Sequence, residues 1–276
     1  MFRGAELAGR AAPTLALRPL LIVADFDGTL ADLVMDPWGA TVIPAARRAL
    51  RRLAGLERVH VVLLSGRTAP DLALRVRVGG ARYLGNHGIE AGTLRRRGRA
   101  ESLHAAGDPA LAVYEPDARR IADALPRLVR EPWLIVERKG PAVAFHYRAA
   151  PDVAAASTLV RAAVDALDPV GRFARFRGRR ILELRPPGAG AKGDAVRALV
   201  DEIGPAGAFV LGDDASDAEA FRVLREMRSV GRLDGLAIGV LARQDLPEPV
   251  GETADVLLAS PSECARFLAS LARRCA

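Results

Sequence analysis

Asp25 and Asp27 stand one residue apart at the end of the apolar run LLIVA, and Gly28 and Thr29 follow them. A buried carboxylate without a partner costs on the order of several kcal/mol, so packing alone does not place charge there. Side chains alternate along a strand, and both acids can therefore address the same side of the chain as it leaves a sheet. Gly28 then permits a tight turn and a close backbone approach to an anion. Other polar groups end apolar runs in the same way: Ser65 follows VHVVLL, Asn86 and His87 follow ARYLG, and Asp213 and Asp214 follow AFVLG. Lys192 opens a helical pattern, where its ammonium and the helix N-terminus can both meet an anion. Convergence of Asp25, Asp27, Asp213 and Asp217 would raise their pKa values by mutual repulsion unless a cation joined them. A donor set of oxygens alone favours Mg²⁺ over zinc. Such a site suits phosphoryl transfer, in which a cation and Lys192 neutralise phosphate charge, one carboxylate attacks phosphorus and a second acid moves protons.

Groups of this kind collect beyond the carboxyl ends of strands in an open α/β sheet, at an edge that several strands share. The chain has the required grammar. Strand-like and helix-like segments alternate in the first third, from LLIVAD through a helix opened by Pro44 to RVHVVLLSG, a helix around 69–78 and ARYLG. The last third continues in the same style with KGDAVRALVDEI, GAFVLGDD and DAEAFRVLREM. Apolar runs this continuous suit a parallel sheet covered on both faces. The middle differs: a helix over 108–130, the strands WLIVERK and AVAFHYR, a helix over 152–167, then FARF and RRILELR. Two hairpins with helices on one face make an α+β layer. The expected fold class is thus α/β, a Rossmann-like parallel-sheet core formed by 1–107 and 188–276 with an α+β cap domain inserted at 108–187.

With 276 residues, half of them apolar, the chain can bury a substantial core. Its net charge of +7 invites a nucleic-acid reading, but of 40 basic residues only Lys139 and Lys192 are lysines, a pattern of wholesale arginine usage that leaves the two lysines conspicuous. Arginine clusters at 95–99 and 172–180 are read as solvated charge, and no nucleic-acid partner is expected. Cys264 and Cys275 lie in no metal-ligand or disulfide spacing. The sequence contains neither an apolar run of membrane-spanning length nor a leader pattern, so no membrane partner and a cytoplasmic location are expected. Oligomeric state is not legible, and a monomer is compatible with the sequence.

DFDGT at 25–29, LLSGR at 63–67, Lys192 in AKGDA and GDDASD at 212–217 resemble the motifs of haloacid dehalogenase-like phosphatases. The resemblance implies that Asp25 is the nucleophile of an aspartyl-phosphate intermediate and Asp27 the general acid and base, held protonated by acidic neighbours and partial burial. It implies that Ser65, Gly66 and Lys192 hold the phosphate. Asp25, the Asp27 carbonyl and Asp213 would bind Mg²⁺, with Asp217 supporting the metal's waters. A narrower resemblance runs along nearly the whole chain, where DFDGTLADLVMDP, GNHGIE, VERKGPAVAFHYR, LELRPPGAGAKGDA, GDDASDAEAF and TADVLLASPSECARFL are similar to trehalose-6-phosphate phosphatases. Ser216 and Ala218 depart from that pattern, where the family often has Thr and an acid.

That family's sugar recognition corresponds here to Glu137, Lys139 and Glu183. Glycosyl hydroxyls need fixed donors and acceptors, and carboxylates beside an ammonium supply both. Arg67, Asn86 and His87 are further candidates for contacts to the sugar nearest the phosphate. His146, Arg148, Trp38 and Trp133 are expected to be structural. The implied partner is a small phosphosugar, with another sugar phosphate as the alternative substrate. Binding without turnover and nucleic-acid binding are the competing classes.

Overall fold

The computed structural model describes residues 1–178, 180–242 and 247–275, so Arg179 of the second arginine cluster lies outside the described residues. The chain divides into two compact units, one formed by Met1–Ala106 and Gly190–Ala276, the other by Gly107–Ala189. Two short helices, α1 (Gly4–Arg10) and α2 (Ala12–Ala16), open the first unit. They are followed by β1 (Leu20–Ala24), α3 (Pro44–Leu53), β2 (Val59–Leu64), α4 (Ala69–Val76), β3 (Arg82–Gly85), β4 (Glu90–Thr93) and β5 (Ala106–Gly107). The second unit holds α5 (Glu115–Leu128), β6 (Ile135–Lys139), β7 (Ala142–His146), α6 (Val153–Leu167), β8 (Ala174–Gly178) and β9 (Ile181–Arg185). The chain completes the first unit with α7 (Lys192–Ile203), β10 (Gly207–Gly212), α8 (Ala215–Ser229), β11 (Asp234–Val240), α9 (Glu248–Thr253), β12 (Val256–Leu258) and α10 (Pro261–Arg274).

The large sheet runs β12-β11-β10-β1-β2-β3-β4-β5, parallel from β12 to β3, with β4 antiparallel to β3. Alternation along its central strands sorts side chains into two cores. Leu20, Ile22, Leu63 and Phe209 face one cluster that includes residues of α1, α3, α4 and α10, while Leu21, Val23, Val62 and Val210 face another with residues of α7 and α8. Burial on both faces is why these strands read as unbroken apolar runs. Ala24 lies level with Leu63 of β2 and Leu211 of β10, so the residues after β1, β2 and β10 emerge at one edge.

The second unit is a four-stranded antiparallel sheet, β6-β7-β9-β8. Val143 and Phe145 of β7 and Leu182 and Leu184 of β9 pack with Ile121 and Leu125 of α5 and Val160 and Val164 of α6. The opposite face carries Glu137, Ala144, Glu183 and Phe176 in one register row.

The expected α/β class with a parallel-dominated sheet matches what is found. The helix expected over 108–130 differs: Asp108 caps a 3-10 segment over Pro109–Tyr114, and the α-helix begins only at Glu115. Pro116 in its first turn suits that late start, since proline lacks the N–H that a helix interior would use. The two N-terminal helices and β4 carry no strong periodic signal and were not expected. Trp38, expected to pack, is 49% exposed in a short 3-10 turn, with the Arg75 guanidinium 5.9 Å from its ring centroid. No helix among the described residues is long and apolar enough to cross a membrane.

Candidate active site

Asp25 leaves β1 with its backbone N–H still donated to Leu211 O at 3.0 Å, so the acid is fixed by the sheet. Lys192, the first residue of α7 and 98% buried, donates from Nζ to Asp25 Oδ1 and to Asp217 Oδ1, both at 2.8 Å. Asp217, in the first turn of α8, accepts on Oδ2 from the backbone N–H groups of Asp213 and Asp214 at 3.1 Å. Asp214 caps α8 by accepting from Ser216 N and Asp217 N at 2.8 and 3.2 Å. The cap fixes the loop from which Asp213 projects. Thr29 Oγ1 donates to Asp213 Oδ1 at 3.4 Å. Gly28 adopts φ +82°, and a Cβ there would fall 2.2 Å from Asp213 Oδ2, so only glycine lets this carboxylate lie against the turn.

Asp25, Asp213 and Asp217 each offer an oxygen, all within 4.8 Å of one another, and all three are buried. With Lys192 as the one ammonium bonded into this trio, two formal negative charges remain uncompensated among the four groups. Burial, opposed by Lys192 and reinforced by Asp214 and Asp27, pushes Asp25 up to about 6. Burial and then Asp25 hold Asp213 well above the usual carboxylate range. Burial does the same to Asp217 against the pull of Lys192. Although burial works to lower Lys192, Asp217 and Asp25 hold it well above the ordinary lysine value. Excess charge on hard oxygen donors is the condition a divalent cation relieves, and these residues fit one.

Asp27 is not part of this trio. Arg67 binds it in a fork, Nε to Oδ2 at 2.6 Å and Nη2 to Oδ1 at 2.8 Å, and reaches Asp71 Oδ2 with Nη1 at 3.0 Å. The immediate partner of Asp27 is therefore a cation, where acidic neighbours had been expected to hold its proton. Arg67, expected to meet sugar, has its fork engaged by these acids. Burial works against its charge, but Asp27 and Asp71 raise its pKa further.

Ser65 and Gly66 form the turn after β2. Ser65 Oγ accepts from Arg67 N at 3.3 Å, and Ser65 O accepts from His87 N at 2.9 Å. A Cβ on Gly66 would sit 2.8 Å from His87 Nε2, so the imidazole lies directly on that glycine. Asn86 and His87 both have positive φ, 49° and 61°, which non-glycine residues adopt at a cost. Asn86 N donates to Arg67 O at 2.8 Å, and Asn86 Nδ2 donates to Glu90 Oε1 at 2.5 Å. Glu90 Oε2 in turn accepts from Ala69 N at 2.9 Å at the start of α4. Glu90 thus ties the two loops together. Sequence reasoning did not single it out, although it ends the quoted GNHGIE.

In the second unit, Lys139 Nζ donates to Glu183 Oε1 at 2.9 Å and lies 3.7 Å from Glu137 Oε2. His146 Nε2 is 2.9 Å from Glu137 Oε2, which puts this histidine on the polar face of the sheet. Arg185 Nη2 donates to Glu183 Oε2 at 2.5 Å, and its guanidinium stacks 4.3 Å over the Phe176 ring. Arg185 was not anticipated, although it follows Glu183 at the two-residue spacing that keeps side chains on one face. Against its burial, Glu183 and Glu137 raise Lys139 above its usual value. The row carries alternating charge fixed on strands, a ready set of donors and acceptors.

A relative from Mycobacterium avium (strain 104), named trehalose-phosphate phosphatase, is 35% identical over 271 residues, covering 94% of this chain and 63% of that protein. The chain thus spans less than two thirds of that relative's length. The C-terminal domain of the C. albicans trehalose-6-phosphate phosphatase shares the fold, with a TM-score of 0.75, 21% identity, and coverage of 98% and 96% of the two chains. A haloacid dehalogenase-like hydrolase from Bacteroides thetaiotaomicron shares it at a TM-score of 0.59, 18% identity, and coverage of 93% and 99%. The family model described as trehalose-phosphatase matches residues 23–245, a span that takes in the buried trio, Lys192 and the whole second unit, and the chain belongs to that family.

Proposed function

We propose that the chain is a Mg²⁺-dependent phosphatase that hydrolyses trehalose 6-phosphate to trehalose and phosphate through an aspartyl-phosphate on Asp25. The observation that carries the reading is the buried ammonium of Lys192 bonded to Asp25 and Asp217, beside Asp213. A lysine there is a fixed positive charge at the nucleophile, and the trio can hold the ion. The name of the Mycobacterium avium relative supports the substrate.

When bound, Mg²⁺ would be held by Asp25 and Asp213, with the Asp27 carbonyl and the support of Asp217, and would neutralise charge on the phosphoryl oxygens. Asp25 attacks phosphorus in line, forming its carboxylate–phosphorus bond as the bond from phosphorus to the sugar O6 breaks. Asp27, protonated on an oxygen freed from the Arg67 fork while the other stays bonded to it, gives that proton to the departing oxygen, and trehalose leaves. Asp27 then takes a proton from water as the water oxygen attacks phosphorus, which frees Asp25 and releases phosphate. Arg67 keeps the Asp27 carboxylate in one orientation for both transfers, and Ser65, Gly66 and Lys192 bind the phosphoryl oxygens. Glu137, Lys139 and Glu183 recognise sugar hydroxyls.

Phosphate release from a panel of sugar phosphates, with Mg²⁺ and with EDTA, tests the reading. Trehalose 6-phosphate should be turned over fastest, and only with the metal. Preference for another sugar phosphate would reassign the substrate, and release undiminished by EDTA would remove the metal.

A further inference from the structure

A cleft of about 310 Å³ lies on the other face of the second unit's sheet, opposite the Glu137–Lys139–Glu183 row. One wall is a single face of α6, where Thr158, Arg161, Ala162 and Asp165 recur at helical spacing. The other is the edge strand β8, which contributes Arg175 and Arg177 two residues apart, with Leu182 of β9 as floor. Three guanidinium groups therefore line one small cavity against a single carboxylate. Arg175 pairs with Asp165 and also donates to Asp168 O at 3.3 Å. Arg161 and Arg177 have no ion pair among the described residues. Arg161 Nε is shielded from water and has no hydrogen-bond partner among the described residues. An N–H donor buried without an acceptor is costly, and like charges crowded round one cavity add to that cost.

A single anion would relieve the crowding of charge by bonding to the guanidinium nitrogens that face the cleft. We propose that this cleft binds a phosphate-type dianion, held by Arg161 and Arg177 with Arg175 drawn in from Asp165. The planar fork of each arginine matches a phosphate edge, and the cavity volume suits a phosphorylated small molecule. The cleft is separate from the groups assigned to chemistry and to sugar recognition. None of its lining residues is among them.

Inorganic phosphate titrated calorimetrically into the full chain tests the proposal. Two classes of site are expected, one at the Lys192 site and one in the cleft. Arg161→Gln with Arg177→Gln should remove one class and leave the other, because each lost charged hydrogen bond weakens binding about tenfold. Asp165→Asn acts in the opposite direction: it frees Arg175 and should tighten the cleft class several-fold, a gain that a misfolded variant would not produce. No class of site lost in the double variant, or no tightening in D165N, would each overturn the assignment, whereas loss of the Lys192 class alone would bear only on the proposed function.

Discussion

Arg67 grips Asp27 through two parallel hydrogen bonds, at 2.6 and 2.8 Å, from a guanidinium that is itself buried and anchored to Asp71. In the proposed mechanism this geometry makes Arg67 a positioning residue for the acid that transfers the proton. Arg67→Lys keeps the charge but replaces a planar fork by a point donor, losing at least one charged hydrogen bond, roughly 1.5–3 kcal/mol or a tenfold to hundredfold fall in kcat. Because the proposed role of Asp27 is the same for every phosphomonoester, the fall should be similar for trehalose 6-phosphate and for a small aryl phosphate. A loss confined to the sugar substrate would return Arg67 to the sugar-contacting role its position in LLSGR suggested.

If the Asp25–Asp213–Asp217 trio holds the cation proposed for it, the folded state is a metal-binding state. An ion that binds only the native protein stabilises it by about 2.7 kcal/mol at a hundredfold excess over Kd. Mg²⁺ should therefore raise the thermal midpoint of the parent chain, and EDTA should reverse it. Asp213→Asn removes one ligand charge from a carboxylate lying against Gly28, and the Mg²⁺-induced shift should shrink or vanish. Equal shifts in both proteins would take Asp213 out of the ligand set.

What the sequence revealed, and what it hid, follows from range. Asp25, Asp213 and Ser65 each end an apolar run, a local signal, and the parallel sheet brings such ends to one edge. Lys192 stood out because lysine is so rare in this chain. Which cation meets which acid is a non-local fact: no spacing shows that Arg67 reaches back forty residues to Asp27, or that Lys192 bridges Asp25 and Asp217. Glu90 and Arg185 were hidden for the same reason. Each is one charged residue in a strand, and its meaning lies in its partners: Ala69 and Asn86 for the first, Glu183 and Phe176 for the second. The N-terminal helices were illegible because they are short, without a capping bond from their own N-cap residues, and stabilised by packing rather than by their own periodicity.

Cys264, fully buried in α10, links stability to alkaline pH. Burial pushes its thiol up from the usual 9.0 to about 12. Between those values the unfolded chain has lost the proton while the folded chain keeps it, so the native state binds more protons and stability falls as pH rises. The contribution reaches about 2 kcal/mol near pH 10.5. Cys264→Ala costs some packing at every pH but removes this slope, so the urea midpoints of parent and variant should converge between pH 8 and 10.5. A constant gap across that range would show that the thiol does not titrate on unfolding as its burial requires.

If Lys139 recognises the sugar as proposed, its substitution separates sugar recognition from phosphoryl chemistry. Its ammonium is bonded to Glu183 and near Glu137, in a unit that carries none of the residues assigned to the phosphoryl step. Lys139→Ala removes a donor to substrate hydroxyls and leaves Glu183 bonded to Arg185, so that carboxylate keeps a cationic partner and the sheet should persist. Hydrolysis of trehalose 6-phosphate should then fall by about tenfold or more, the cost of one lost hydrogen bond to a charged group. A small aryl phosphate, with no sugar to recognise, should be cleaved at close to the parent rate. Equal losses on both substrates would mean that Lys139 supports the fold and takes no part in selecting the sugar.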